Sequence, residues 1–108
     1  MASKKDEEQK KFDDEYVTRL EAIRLHLGMK NGDMASLLGI AQNTYSTNLK
    51  HGYAPPPHRL RKLIEKGLTS DFILFGITDH MDQILVEKIN SNMEDARARL
   101  EKLRRDQQ

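Results

Sequence analysis

Two short helical patterns separated by a single glycine stand in the middle of this 108-residue chain, within residues 31–52. Asp33 is placed to cap the first helix, whose apolar side chains recur over residues 34–38. Gly39 follows where the chain needs a left-handed turn residue, and a second helix is expected over about Gln42–His51. Two short helices joined by such a tight turn predict a helix-turn-helix.

The second of these helices has an unusually polar surface. Its polar residues are Gln42, Asn43, Thr44, Ser46, Thr47, Asn48 and Lys50. Asn, Ser and Thr are poor helix formers, so this composition lowers helix stability. Gln and Asn can bond adenine through two hydrogen bonds, and Ser and Thr can bond bases or phosphates. The composition therefore favours a helix that reads duplex DNA; the alternative is a weak polar helix without a partner.

Further helices are expected on both sides of this segment. Residues 1–12 are predicted to form a flexible charged tail, because residues 3–11 mix charges and contain no aliphatic side chain. A helix is expected from Asp13 or Asp14, with one apolar stripe made by Tyr16, Leu20, Ile23 and Leu27. Two more short helices before residue 77 complete a five-helix domain over residues 13–77. No strand-length alternating run is present, so the predicted class is all-α.

The last segment, residues 80–106, contains no Gly or Pro and is predicted to be one long helix. Its apolar residues repeat with heptad spacing at Val86, Ile89, Met93, Ala96, Leu100 and Leu103. This spacing favours self-association, as a homodimer or a higher homo-oligomer. The alternative is a C-terminal helix that folds back on its own domain.

Positive charge is concentrated in the middle of the chain, although the formal net charge is only +1. Residues 31–68 carry five basic and two acidic side chains. A polyanion would be attracted to this part of the protein first. The alternative is an ordinary solvated helix face.

Several classes of protein are excluded or disfavoured. The chain has no cysteine, which excludes a disulfide scaffold, a thiolate zinc site and a cysteine nucleophile. No apolar run is long enough to span a membrane, and the N-terminus has no signal-peptide pattern. The histidines lack a metal-binding spacing, and there is no glycine-rich phosphate loop. We therefore expect a cytoplasmic protein that is not an enzyme and uses no metal and no cofactor.

The stretch GIAQNTYSTNLKHGYAPPPHRLRKLIEKGLTSDFILFGI, residues 39–77, resembles the helix-turn-helix domain of bacteriophage CI-type repressors in the XRE-like class. A turn glycine with an aliphatic residue, a proline-containing loop, a leucine-rich helix and the ending over residues 67–76 carry the resemblance. It covers about residues 14–77. The sequence departs from the pattern at Ala41, where Ser or Thr is common, and at Asn48, where an apolar residue is common.

The resemblance implies a five-helix lambda-repressor-like domain and a role for several polar residues. Base contacts would come from Gln42, Asn43, Ser46 and Thr47. Asn31 would contact a phosphate, and Lys50 would contact a phosphate or a flanking base. Together with Lys50, the basic residues Arg59, Arg61 and Lys62 would supply nonspecific attraction to phosphates. Tyr45 would point inward.

We accordingly expect a homodimeric transcriptional regulator, a repressor, which binds an inverted-repeat operator with recognition helices about 34 Å apart. It would be encoded by a bacterium or a phage and be associated with the nucleoid. The alternative is a protein-interaction module, such as an antitoxin or anti-repressor, that uses the C-terminal helix to bind another protein.

Overall fold

The computed structural model describes residues 6–106, and every regular element within that range is helical. In the described part of the chain, seven α-helices follow one another, and a 3-10 turn over Pro57–Leu60 leads into the fourth. The helices are α1 (Glu7–Leu27), α2 (Asn31–Leu38), α3 (Gln42–His51), α4 (Arg61–Glu65), α5 (Ser70–Phe75), α6 (Gln83–Asn90) and α7 (Met93–Arg105). The predicted all-α class is confirmed. No described helix has the length and apolar character needed to cross a membrane.

α1 begins at Glu7, ahead of the expected start near Asp13 or Asp14. The prediction of a flexible tail over residues 1–12 is therefore wrong from Glu7 onward. Residues 1–5 lie outside the described part of the chain.

The early start of α1 has a cap and a packing contact. The carboxylate of Asp6 accepts a hydrogen bond from the backbone N–H of Gln9 at 2.7 Å, which satisfies one of the free donors at the helix end. The ring centroid of Phe12 lies 5.4 Å from that of Phe75 on α5 and 6.1 Å from that of Tyr16. The contact between Phe12 and Phe75 thus stabilises the first turns of α1, whose own sequence is mostly charged.

The core is built around α1, which packs against α3, α5, α6 and α7. Of the predicted apolar stripe, Tyr16, Leu20 and Ile23 are buried, whereas Leu27 at the helix end is 36% exposed. Arg19 crosses from α1 to the end of α5, where its guanidinium donates to the carbonyl oxygens of Ile73 and Leu74 at 2.8 and 2.7 Å. Burial lowers the pKa of this guanidinium.

α2 and α3 pack against each other and are joined by the short turn that begins at Gly39. Gly39 has φ of +70°, in the left-handed region where a side chain is strained. The expected cap at Asp33 is wrong, because α2 begins at Asn31 and places Asp33 in its first turn. There its carboxylate accepts a hydrogen bond from the backbone N–H of Lys30 at 3.1 Å.

The C-terminal segment forms two helices instead of the predicted single one. α6 ends at Asn90 and α7 begins at Met93. Between them, the Ser91 hydroxyl and the Asn92 amide both donate to the carbonyl oxygen of Lys88, at 2.7 and 2.9 Å. Such side-chain bonds compete with the regular helical pattern and interrupt the helix here.

The heptad residues of this segment pack on the protein's own core. Val86, Ile89, Ala96 and Leu100 are at most 5% exposed, and Met93 and Leu103 are half-buried against the same cluster. They meet helices of the same chain, above all α1, so the predicted seam between chains is corrected to an intramolecular contact. One buried cluster joins this segment to the preceding helices. Heptad spacing makes one side of a helix apolar, and that side can pack on the same chain as well as on another chain.

Candidate nucleic-acid interface

α3 presents a polar surface outward and two large side chains inward. Tyr45 and Leu49 are each only 1% exposed. The inward orientation expected for Tyr45 is found, and Leu49 occupies the second inward position while Asn48 stays half-exposed. The outward residues Gln42, Asn43, Thr44 and Thr47 are exposed, and Ser46 and Lys50 are half-buried.

A buried polar network beneath α3 connects it to α1. The Tyr45 hydroxyl donates to Oε1 of Glu21 at 2.9 Å. The same carboxylate accepts two hydrogen bonds from the Arg24 guanidinium, at 2.8 and 2.6 Å. Arg24 also donates to the carbonyl oxygen of Met29 at 2.6 Å, ahead of α2. Because the network joins α1, the loop that leads into α2, and α3, it helps to set how α3 sits on the domain.

The charges in this network are compensated. The hydrogen bond with Glu21 raises the pKa of the Arg24 guanidinium. Burial, reinforced by the Glu21 carboxylate, raises the pKa of the Tyr45 hydroxyl far above its ordinary value. Tyr45 therefore stays neutral, and Arg24 stays charged, in the physiological pH range.

The C-terminal end of α3 is held by α7. The guanidinium of Arg104 donates twice to the carbonyl oxygen of Leu49, at 3.2 and 3.1 Å. Its Nη1 also lies 2.6 Å from Oδ1 of Asp14 on α1. A cation at the carbonyl end of a helix is favourable, so Arg104 ties α1, α3 and α7 together.

The candidate base-contact residues lie in two neighbouring rows along α3. Asn43 and Thr47 form an outward row one helical turn apart, and the Thr47 hydroxyl donates to the Asn43 carbonyl oxygen at 2.8 Å. Gln42 extends over the start of α2, where a Cβ on Gly32 would lie 3.0 Å from its Oε1. Ser46 is half-buried on the Gln42 side. The exposed amides of Gln42 and Asn43 can thus donate and accept, as reading a base edge requires.

Of the candidate phosphate contacts, Asn31 and Lys50 line different depressions. Asn31 shares a pocket of about 260 Å³ with Arg99 and Lys102 of α7. Lys50 lines a larger cleft of about 670 Å³. We call this larger depression the α1–α3–α7 cleft; it is lined by Glu7, Lys10, Lys11, Asp14, Lys50, His51, Gly52, Tyr53 and Arg104.

The remaining basic candidates stand beside α2. Arg59 donates to the carbonyl oxygen of Gly39 at 3.1 Å and so supports the turn between α2 and α3. Arg61 and Lys62 begin α4, which packs on α2, and both are exposed. Arg61 lies 3.9 Å from the exposed Glu65 carboxylate, a contact that contributes little in water.

Three cations of the cleft are not among the site residues that the sequence predicts. Lys10 and Lys11 lie within residues 1–12, for which the sequence predicts a tail, and Arg104 flanks the heptad positions. A sequence signal for the two lysines does exist. Asp6 can cap a helix and Glu7 follows it in the first turn, so these residues predict a helix that includes Lys10 and Lys11. No local pattern indicates the contact of Arg104 with α3.

Within residues 6–106, no group of three or more His, Asp or Glu side chains could hold a metal ion. No protein-family model, no curated protein and no solved structure matches this chain.

Proposed function

We propose that this protein is a sequence-specific duplex-DNA-binding regulator, a repressor, in which α2 and α3 act as the helix-turn-helix of a lambda-repressor-like domain. The observation that carries the proposal is the outward face of α3, where Gln42, Asn43, Thr44 and Thr47 are all exposed. Polar amides and hydroxyls at these positions match the donor and acceptor pattern of the major groove.

The anchoring of α3 on the domain supports the same function. Reading bases requires that the recognition helix hold a defined orientation, because a small displacement breaks paired hydrogen bonds. Here Tyr45 anchors the helix from beneath through Glu21, and Arg104 holds its C-terminal end. The proposal carries with it a cytoplasmic location on the nucleoid of a bacterium, where duplex DNA is found.

The alternative, a module that uses the C-terminal helix to bind another protein, has less support. The apolar residues of the C-terminal segment already pack on the protein's own core, and the outer side of α7 is charged. A bound helix would have to displace those contacts or bind a charged surface.

The test is selection of binding sites from a random duplex library at near-physiological salt, with the full-length protein. We expect one enriched motif. An inverted repeat would indicate two copies on DNA, and a single half-site would indicate one. No enrichment would reject sequence-specific binding.

Matched asparagine variants test which surface reads the motif. Asn43→Ala should lose about 1–3 kcal/mol of discrimination at one base pair of the selected site. Asn90→Ala changes an exposed asparagine on α6 and should leave the motif unchanged. If Asn43→Ala weakened binding equally on every sequence, α3 would touch DNA without reading it.

A further inference from the structure

Helices from both ends of the chain meet α3 at the α1–α3–α7 cleft. Lys10 and Lys11 come from the first half of α1, Lys50 from the last turn of α3, and Arg104 from the last turn of α7. A water molecule occupies about 30 Å³ in the liquid, so a cleft of about 670 Å³ can admit larger groups.

The charges lining the cleft favour an anion. Four cations, Lys10, Lys11, Lys50 and Arg104, face two carboxylates. One carboxylate, Asp14, lies 2.6 Å from Arg104, so the charges of these two groups largely cancel. The remaining lysines outnumber the remaining carboxylate, that of Glu7, and His51 stands beside them.

We propose that the α1–α3–α7 cleft binds the phosphate backbone of duplex DNA, with Lys10 and Lys11 as phosphate contacts beyond the helix-turn-helix. This inference rests on the proposed function, because it needs α3 to meet DNA. Lys50 links the two surfaces, since it belongs to α3 and lines the cleft. A duplex that follows the outward face of α3 to its C-terminal end reaches the cleft next, and the lysines there attract its phosphates.

The lysines of the cleft would position the protein on DNA and would not read its sequence. Lysine ammonium groups bind phosphates as point charges and carry no sequence information. The cleft therefore strengthens binding and fixes the orientation of the protein on DNA, whereas the choice of sequence remains with α3.

The test compares salt dependence among charge variants of the full-length protein on its selected duplex. Lys10→Gln/Lys11→Gln should make the negative slope of log K against log salt shallower by about 1.8, because two phosphate contacts are lost. Lys10→Arg/Lys11→Arg keeps both charges and should keep the slope. Lys88→Gln removes an exposed lysine on α6, outside both the cleft and the basic segment of residues 31–68, and should also keep it.

A second variant increases the positive potential of the cleft. Glu7→Gln removes a carboxylate that faces the lysines, so affinity at low salt should rise, by up to about fivefold. The preference for the selected motif over unrelated duplex should be the same in the wild type and in all three cleft variants.

The outcomes separate this inference from the proposed function. If the wild type binds its selected duplex but Lys10→Gln/Lys11→Gln has the same slope as the wild type and Lys88→Gln, the cleft inference is overturned and the function stands. If the wild type binds no duplex, both are overturned. If Lys10→Gln/Lys11→Gln loses preference for the motif but not salt dependence, the cleft does not act through phosphates and the inference is again overturned.

Discussion

The hydroxyl of Tyr45 on α3 donates a 2.9 Å hydrogen bond to Oε1 of Glu21 on α1. Both side chains are almost completely buried, and the Glu21 carboxylate also receives two hydrogen bonds from Arg24. A buried carboxylate is tolerated only when it is well paired, so this contact couples the outward face of α3 to the core of the domain.

Tyr45→Phe removes the hydroxyl and keeps the ring. We expect the free energy of unfolding to fall by about 1–2 kcal/mol, because Glu21 loses a buried donor. Urea unfolding measures this change. Thr44→Val removes the hydroxyl of an exposed residue on α3 and should change stability by less than about 0.5 kcal/mol. Equal effects of the two substitutions would mean that the Tyr45 hydroxyl has no special role.

Alkaline pH should destabilise the protein through Tyr16 and Tyr45. Burial raises the pKa of both hydroxyls in the folded state, whereas an unfolded tyrosine titrates near its ordinary pKa of about 10. The folded state therefore retains protons that the unfolded state releases. Stability is fully present below about pH 10 and falls above it, by about 1.4 kcal/mol per pH unit for each tyrosine.

Urea unfolding between pH 8 and 11 checks this dependence. In Tyr45→Phe one of the two groups is missing, so the loss of stability per pH unit above about pH 10 should be close to half that of the wild type. A Tyr45→Phe profile parallel to that of the wild type would contradict the protonation difference assigned to this residue.

Arg104 and its neighbour Arg105 form a matched pair. Arg104→Gln breaks the bonds to Leu49 and the ion pair with Asp14, and should cost about 1–2 kcal/mol of unfolding free energy. Arg105 is 67% exposed and lies 4.0 Å from Glu101, so Arg105→Gln should cost less than about 0.5 kcal/mol. Thermal unfolding of both variants measures the two losses of stability. A larger loss for Arg105→Gln than for Arg104→Gln would contradict a stabilising role for the contacts of Arg104 with Leu49 and Asp14.

Leu100→Ala should lower the free energy of unfolding by about 2–5 kcal/mol, because the leucine is only 2% exposed and its truncation leaves a cavity in the core. Ile84→Ala truncates a side chain on α6 that is 64% exposed and should cost far less. Since Leu100 packs within its own chain, its effect on the urea midpoint should be the same at low and high protein concentration. If the urea midpoint depended on protein concentration in the wild type but not in Leu100→Ala, Leu100 would lie in a contact between chains instead.

Much of the local structure is predictable from neighbouring residues. The bounds of α3 follow from a turn glycine at one end and Gly52 at the other, and Thr69 is identifiable as the cap of α5. The inward position of Tyr45 follows from helical spacing. These features depend on backbone preferences and on periodicity, which a few adjacent residues express completely.

Other features depend on which distant surfaces meet. Heptad spacing at the C-terminus predicts an apolar face but not its partner, since α1 of the same chain and a second copy satisfy the same spacing. The charged start of α1 gains order from the ring of Phe75, far along the chain. Likewise, Lys10, Lys50 and Arg104 converge on one cleft only because α1, α3 and α7 pack together. Residue order specifies which stretches are helical and which sides are apolar, whereas burial of those sides against one another selects the partners and so assembles the surface proposed for DNA.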